Sequence, residues 1–292
     1  MAEDSGHSTD TTLIFLHVPK AGGTTLRKMI ARQYASTAML HCDMQLPGAR
    51  EDLERAAQPG TRKPACVAGH LPYGVHTLLP GPCCYASMLR DPVTRFLSKY
   101  YYLRKRPGLV ERLAIDPARL DSIESFLAVQ QERGALNFQT RLLCGDIDLR
   151  HAQGPYPPLP ANALAAAQAH ITDCFPVLGL LERFEESVLL MARAHGWRRV
   201  WFTPRNTNRQ RPATDEVPDM VRRRIEEENA QDCRLYRFAE ERLRRQVHAV
   251  GEELVPARRR LRFYNRCYGI VRGALDRLPR PRRRGRSGGA PA

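Results

Sequence analysis

The sequence predicts an α/β fold in which a central, mainly parallel sheet is covered by helices. Residues 11–34 carry the clearest signal: apolar and β-branched residues, a turn of small residues, and then apolar positions at helical spacing. Two further strand-and-helix units are expected at residues 83–102 and 175–194, and a short buried strand at residues 65–70. The length of 292 residues suits one such domain with extensions.

Charge separates the chain into three parts. Residues 1–10 are polar and predict a disordered leader, and residues 11–250 hold the predicted domain. Residues 257–292 contain twelve arginines and one acidic residue, a net charge of +11 out of the +15 of the whole chain. The basic character is therefore a property of this C-terminal tail rather than of the domain.

The turn after the first strand predicts an anion site. It consists of small residues preceded by one lysine, and its sequence is Pro19-Lys20-Ala21-Gly22-Gly23-Thr24-Thr25. The free N–H groups and the positive dipole end of the following helix attract anions, and glycines let the backbone approach the ligand closely. Lys20 adds a mobile charge. Because this lysine precedes the glycines, the turn is not the nucleoside-triphosphate loop GxxxxGK[ST].

A histidine follows the predicted strand at residues 65–70. A single histidine in such a place is usually structural, and we interpret His17 and His76 in that way. His70 differs because ligands of open α/β sheets lie at the carboxyl ends of the strands, where this residue is expected.

A second anion-binding pattern lies at residues 83–102. Asp91 is a good helix N-cap, and Pro92 suits the first helical position because it needs no N–H donor there. Arg90 at the strand end and Ser98 on the helix can together hold a phosphate. Lys99 is expected on a solvated helix face.

Both patterns resemble motifs of sulfotransferases that use 3′-phosphoadenosine 5′-phosphosulfate (PAPS). HVPKAGGTT at residues 17–25 resembles the 5′-phosphosulfate loop, and RDPVTRFLSKYY, starting at Arg90, resembles the 3′-phosphate motif. The resemblance is strongest to the carbohydrate group that includes heparan sulfate 2-O-sulfotransferases and many bacterial relatives. Gly-His at position 70 resembles that family's catalytic histidine segment, and residues 137–145 and 232–239 match more weakly.

The resemblance implies a P-loop-like three-layer sandwich and sulfuryl transfer from PAPS to a hydroxyl of a carbohydrate, in a glycan or a glycolipid. His70 would be the general base, Lys20 would assist catalysis and bind the donor, and no metal is required. The remaining donor contacts would come from the loop and from the second motif: Ala21, Gly22, Gly23, Thr24, Thr25, Arg90 and Ser98. The product nucleotide would be PAP.

Two other functions remain open. A P-loop kinase or ATPase is disfavoured by the displaced lysine and by the lack of an evident acidic partner for magnesium. A non-enzymatic protein that binds an anionic membrane or nucleic acid is suggested by the arginine tail alone. The retention of Lys20, His70, Arg90 and Ser98 argues against that second function.

The tail predicts a basic amphipathic helix. Its apolar positions recur at spacings of three and four residues: Leu261, Tyr264, Tyr268, Val271, Leu275 and Leu278. Such a helix suits an anionic membrane surface, and packing on the domain carries equal weight. Nucleic acid comes third, because nothing else in the chain indicates base readout. No signal peptide or anchor is visible in the first residues, and animal Golgi relatives carry one, so we expect a cytoplasmic protein of a bacterium, peripheral at the membrane.

Overall fold

The computed structural model describes residues 11–44, 46, 48–149, 154–203 and 217–277. The predicted leader at residues 1–10 and the arginine-rich end of the tail, residues 278–292, lie outside the described residues. So does most of the basic segment that follows Thr203.

The described residues form one parallel five-stranded sheet. Its strands are β1 (Thr12–Leu16), β2 (Met39–His41), β3 (Cys66–Gly69), β4 (Cys83–Leu89) and β5 (Leu178–Leu180). They are arranged in the order β2-β3-β1-β4-β5, and every pairing is parallel. The predicted mainly parallel sheet is confirmed. Only β2 was not predicted, because it is three residues long and partly exposed, so it lacks the apolar run of a buried strand.

Helices lie on both sides of the sheet, which gives the predicted P-loop-like three-layer sandwich. They are α1 (Gly23–Ile30), α2 (Ala49–Ala56), α3 (Pro92–Arg104), α4 (Pro107–Arg112), α5 (Ile123–Glu132), α6 (Phe138–Cys144), α7 (Ala163–Cys174), α8 (Phe184–His195), α9 (Asp219–Glu228), α10 (Ala230–Val250) and α11 (Leu254–Arg277). Short 3₁₀ turns connect several of them.

The apolar side chains form two clusters. The larger one fills the space around the sheet and includes the fully buried Phe15, Tyr85 and Phe175. A smaller one joins α3, α4, α5 and α9 through residues such as Phe126 and Ile225. Burial of apolar area from water is the main force that holds these layers together. The smaller cluster fixes α3, which carries half of the second anion-binding pattern.

Two expectations about the helices were wrong. The single helix expected from about residue 218 to 247 is interrupted at Asn229, where α9 ends and α10 begins. Lys99 is not on a solvated face: its Nζ donates a hydrogen bond to the buried Gln130. The pKa of Lys99 is lowered to about 7, mainly by burial and also by the nearby guanidinium groups of Arg95 and Arg133.

The predicted C-terminal helix is present as α11, and one of its faces packs on the domain. Leu261 is 2% exposed, and Arg258 and Arg262 both pair with Glu185 on α8. The side-chain oxygen of Asn265 accepts a hydrogen bond from the backbone N–H of Phe202. In the part of the chain that the structure describes, no helix is both long and apolar enough to cross a bilayer.

The sheet topology creates a crevice at the carboxyl end of β1. After β1 the chain forms β2 and β3 on one side of that strand and then crosses to form β4 and β5 on the other side. Leu16 lies in register with Gly69 of β3 and with Ser87 of β4, so all three strands end near the same edge. Ligands of such sheets bind where the connections diverge in this way.

Candidate active site

The loop between β1 and α1 is shaped by left-handed backbone at two positions. Lys20 has a φ of 68° and Gly22 a φ of 78°. Glycine adopts this conformation without strain, whereas a lysine held there is uncommon. Among the described residues no side chain caps the start of α1, and its first turn contains no acidic residue. The N-terminus of α1 therefore keeps its positive dipole for an anion, and in its first turn the N–H of Thr25 donates to the carbonyl of Gly22 at 3.0 Å.

Close packing explains why both loop positions are glycines. A Cβ on Gly22 would lie 2.7 Å from Leu181 Cδ1, and one on Gly23 would lie 1.9 Å from Cδ2 of the His17 ring. The Ala21 side chain is fully buried, so only its backbone can face a ligand. Thr24 and Thr25 are half-buried in the first turn of α1.

Arg90 joins the two anion-binding patterns directly. Its Nη1 donates a hydrogen bond of 3.0 Å to the backbone carbonyl of Lys20, and its Nε donates one of 3.0 Å to Thr94 Oγ1. Ser98 is half-buried one helical turn beyond Thr94 on α3. The guanidinium of Arg90 thus lies between the first loop and the helix that carries Ser98. The two motifs, 70 residues apart in the chain, form one cationic surface.

The start of α3 is built as the sequence predicts. Asp91 is its N-cap and accepts a hydrogen bond of 2.8 Å from the N–H of Thr94, and Pro92 occupies the first helical position. The backbone N–H of Asp91 donates to Glu182, which also accepts from the Tyr236 hydroxyl. These contacts tie the strand end to α10.

The backbone of Arg90 is held by a side chain from α6. Gln139 accepts a hydrogen bond of 3.0 Å from the N–H of Arg90 and donates one of 2.9 Å to its carbonyl. Because Gln139 is fully buried, this two-way contact is protected from water. The segment at residues 137–145, which matched known motifs only weakly, therefore holds the backbone of Arg90 in the second anion-binding pattern.

His70 lies at the same edge of the sheet as the loop and has two close partners. Its Nδ1 is 2.9 Å from Oδ2 of Asp43, and its ring stacks on that of His17 at a centroid distance of 4.5 Å. The pKa of His17 is lowered to about 3, mainly by burial and also by the electrostatic effects of His70 and Arg27. His17 is therefore neutral at physiological pH.

Lys20 lies beside an aromatic ring. Its Nζ is 3.8 Å from the ring centroid of Tyr102 on α3, a cation–π contact. Arg106 approaches the same ring at 5.0 Å. The ammonium is therefore held between the loop and α3.

A protein-family model matches the sequence over most of its length. The model of a family described as galactose-3-O-sulfotransferase matches residues 4–269, which is most of the chain. The chain belongs to the galactose-3-O-sulfotransferase family. This confirms the prediction of a carbohydrate sulfotransferase family. The sequence motifs had suggested another group of carbohydrate sulfotransferases, the one that includes heparan sulfate 2-O-sulfotransferases.

Curated relatives in this family are distant. The chain is 24% identical to galactose-3-O-sulfotransferase 3 of Mus musculus, over 92% of this chain and 66% of that protein. It is 25% identical to the Homo sapiens protein of the same name, over 88% of this chain and 63% of that one. A heparin sulfate O-sulfotransferase of Drosophila melanogaster is 24% identical over 74% of this chain and 66% of that protein. The chain thus spans slightly less than two thirds of the length of the galactose-3-O-sulfotransferases that it matches.

A structural comparison adds a distant similarity. A crystal structure of mouse sulfotransferase SULT7A1 complexed with PAP matches with a TM-score of 0.39 and 14% sequence identity. The match covers 76% of this chain and 63% of the mouse chain. A TM-score of this size does not establish a shared fold.

The family membership corrects one expectation. The relatives are Golgi-type sulfotransferases of animals, so the expectation of a cytoplasmic protein is wrong. That expectation depended on the polar first residues, and where a sequence begins is no evidence for a compartment when it spans only part of its relatives.

The structure brings together some of the site residues expected from the sequence and adds one that was not expected. The structure brings the expected Lys20 and Arg90 into direct contact, and it brings His70 next to the glycine loop through His17. It adds Asp43, which the sequence gave little reason to choose because the strand before it is short and partly exposed. His17, interpreted as structural, lies between Gly23 and His70.

Proposed function

We propose that this protein transfers a sulfuryl group from PAPS to a hydroxyl of a carbohydrate acceptor, in a glycan or a glycolipid. The observation that supports this most directly is the hydrogen bond from Arg90 to the Lys20 carbonyl. It places two anion-binding patterns side by side at a sheet edge in a member of a carbohydrate sulfotransferase family. A donor with phosphate groups at both its 5′ and 3′ positions needs two such patterns. When bound, PAPS supplies the activated sulfuryl group.

The first loop would hold the 5′-phosphosulfate. The N–H groups of Gly23 and Thr24 lie at the uncapped start of α1, and Ala21 and Gly22 contribute only backbone around the ligand. The N–H of Thr25 already donates to the carbonyl of Gly22, so Thr25 would contribute its hydroxyl. Lys20 supplies a positive charge beside this turn. Fixed donors that face the leaving oxygen stabilise the charge that develops on it during transfer.

The second pattern would bind the 3′-phosphate. Arg90 and Ser98 are the groups we assign to it, and the contacts of Arg90 with Thr94 and Lys20 already fix its guanidinium. An arginine fixed in this way loses less side-chain entropy when it binds a phosphate. The position of the 3′-phosphate would in turn set the position of the 5′ end.

His70 would act as the general base for the acceptor hydroxyl. Its Nδ1 faces Asp43, so Nε2 is the nitrogen left to accept a proton. The ring is 27% exposed, which allows an acceptor to approach. The kinase alternative is weaker because the lysine precedes the glycines in this loop.

Two measurements test the proposed function. Calorimetry should show that PAP binds the purified protein and that ATP binds far more weakly. Transfer of radiolabelled sulfate from PAPS should then be measured on galactose-terminated oligosaccharides, heparan saccharides and a galactose-terminated glycolipid. The His70→Ala variant is the control for non-enzymatic transfer. Preference for ATP over PAP, or no transfer to any of these acceptors, contradicts the proposal.

We also propose that the protein contacts an anionic membrane through residues 257–292, which follow a catalytic domain at residues 11–250. The face of α11 that points away from α8 combines apolar and basic side chains. Phe263 is 64% exposed and Ile270 is 68% exposed, and the arginines at positions 259, 260 and 266 are exposed around them. The opposite face, with Leu261, packs on the domain.

A further inference from the structure

We propose that Asp43 is a positioning residue for His70, with the neutral ring of His17 holding the other side of the imidazole. This inference rests on the proposed function, because it takes His70 as the general base. It assigns a role to Asp43, which lies outside the sulfotransferase motifs, and to His17, which the sequence pattern left as structural. The geometry that supports it comes from three neighbouring segments of the chain.

The backbone fixes Asp43 beside His70. The pairing of β2 with β3 continues beyond both strands, with hydrogen bonds from the N–H of Cys42 to Ala68 and from the N–H of Met44 to His70. A Cβ on Gly69 would lie 1.6 Å from the carbonyl oxygen of Cys42. Only glycine permits this approach, so the segment that carries Asp43 lies directly against the end of β3.

The backbone also fixes His17 on the other side. β3 lies between β2 and β1 in the sheet. Just beyond β1, the N–H of His17 donates a hydrogen bond of 2.9 Å to the carbonyl of Gly69. The two imidazole rings are nearly parallel, with an angle of 18° between their planes. His17 is itself in contact with Gly23 in the first loop. A continuous series of contacts therefore connects the donor loop to the carboxylate: Gly23, His17, His70 and Asp43.

This arrangement determines which nitrogen of His70 carries the proton. A carboxylate at 2.9 Å from Nδ1 accepts a hydrogen bond from it, so the neutral ring holds its proton on Nδ1 and its lone pair on Nε2. When Nε2 takes a proton from an acceptor hydroxyl, the carboxylate stabilises the resulting imidazolium. The charges of Arg27 and Lys20 act on the adjacent His17, and the Asp43 carboxylate acts on it in the opposite direction.

The Asp43→Asn variant tests the role of the carboxylate. We expect turnover to fall by about 10–10³-fold, less than the roughly 10⁴-fold loss known for a fully buried triad carboxylate, because Asp43 is one third exposed. Affinity for PAP should not change. Asp43→Glu should recover part of the turnover.

A second measurement does not depend on activity. Long-range ¹H–¹⁵N correlation spectra report which ring nitrogen is protonated, and we expect His70 in the wild-type protein to carry its proton on Nδ1. Because no substitution is needed, this result decides the matter even if a variant fails to fold. A proton mainly on Nε2, or normal turnover in Asp43→Asn, overturns the positioning role.

The outcomes separate this inference from the proposed function. If His70→Ala is inactive while Asp43→Asn behaves as wild type, only the positioning role fails. If the wild-type protein neither binds PAP nor transfers sulfate, the proposed function fails, and the spectrum of His70 still reports on the contact with Asp43.

Discussion

Asn137 and Asp232 cap each other's helices. Asn137 precedes α6, and its side-chain oxygen accepts hydrogen bonds from the N–H groups of Gln231 and Asp232 in the first turn of α10. The carboxylate of Asp232 accepts from the N–H groups of Gln139 and Thr140 in the first turn of α6. Each helix therefore obtains its cap from the other, and the two can form their complete first turns only together.

This pair connects the core to the candidate active site. The Gln139 whose N–H is bound by Asp232 is also the residue that holds the backbone of Arg90. Asp232 further lies 3.8 Å from the buried guanidinium of Arg95 on α3. The position of Arg90 thus depends on α6, through Gln139, and on α10, through Asp232.

We expect Asp232→Ala to be strongly destabilising. The substitution leaves two helix N–H groups unsatisfied and the charge of Arg95 buried without a partner, and removal of one member of a buried pair costs about 3–5 kcal/mol. Urea unfolding gives the change in free energy. Glu227→Ala, on the exposed side of α9, is the control and should change it little. A loss in Asp232→Ala no larger than in the control shows that the mutual cap is dispensable.

The reciprocal caps show where sequence reading reaches its limit. The cap of α3 was predictable because Asp91 and Pro92 are adjacent to the helix that they start, and a local signal is visible in one stretch of sequence. The cap of α10 comes from Asn137, 94 residues from the donor at Gln231, so the sequence around residue 229 looks like an uninterrupted helix. Lys99 was misjudged for the same reason, because the partner that buries it, Gln130, lies on another helix.

The candidate site likewise contains residues that the sequence predicts and one contact that it does not. Its loop and its Arg90 were identifiable because their residue types and spacing carry the chemistry locally. The contact of Asp43 with His70 depends on the pairing of β2 and β3 beyond the strand ends, and on the absence of a side chain at Gly69. Neither condition leaves a pattern in the sequence near Asp43.

We expect Arg90→Ala to weaken PAP binding by about tenfold or more, because a hydrogen bond to a charged group contributes about 1.5–3 kcal/mol. Gln139→Leu should also weaken PAP binding, since it releases the backbone of Arg90 without touching the nucleotide. Calorimetry on both variants and on Ser98→Ala measures this. Lys28→Met, an exposed change on α1, serves as the control. Wild-type affinity in Arg90→Ala rules out the assigned 3′-phosphate site.

Gly23→Ala should disturb the site through His17. The added Cβ would lie 1.9 Å from the His17 ring, which forces the ring or the loop to move. We expect both PAP affinity and turnover to fall, since displacements of about 1 Å can cost 10²-fold in rate. His17→Ala in the same chain removes the clash and should restore PAP affinity in the double variant.

Gly108→Ala is the matched control for that experiment. It lies on α4 with no atom within 4 Å of the position of an added Cβ, so it should have no effect on binding or turnover. If PAP affinity in the Gly23→Ala variant stays low after His17 is truncated, the loss comes from the ligand side of the loop and not from the imidazole.

Lys99 predicts a pH dependence of stability. Its pKa in the folded protein is about 7, well below the ordinary value of 10.5, mainly because of burial. Between these values the unfolded chain binds a proton that the folded chain does not, so stability contributed by this group rises as pH increases from about 7 toward 10. In Lys99→Met this rise should be absent. Urea unfolding at several pH values compares the two proteins, with Lys28→Met as the exposed-lysine control. Parallel curves for wild type and Lys99→Met show that Lys99 keeps its charge when folded.

The outward face of α11 can be tested without removing the helix. Deletion of residues 257–292 would also remove Leu261 and the ion pairs of Arg258 and Arg262 with Glu185, and so would disturb the domain. The double variant Phe263→Ser with Ile270→Ser changes only side chains that are 64% and 68% exposed. We expect it to remain folded and active on a soluble acceptor but to lose sedimentation with vesicles that contain phosphatidylserine, because apolar burial and arginine attraction act together at such a surface. Met220→Ser, an equally exposed apolar change on α9, should sediment as wild type does.

If the double variant sediments normally, or if wild type does not bind the vesicles, α11 is not a membrane contact. A change of oligomeric state in the double variant, seen by light scattering, would instead assign the face to a second copy of the chain.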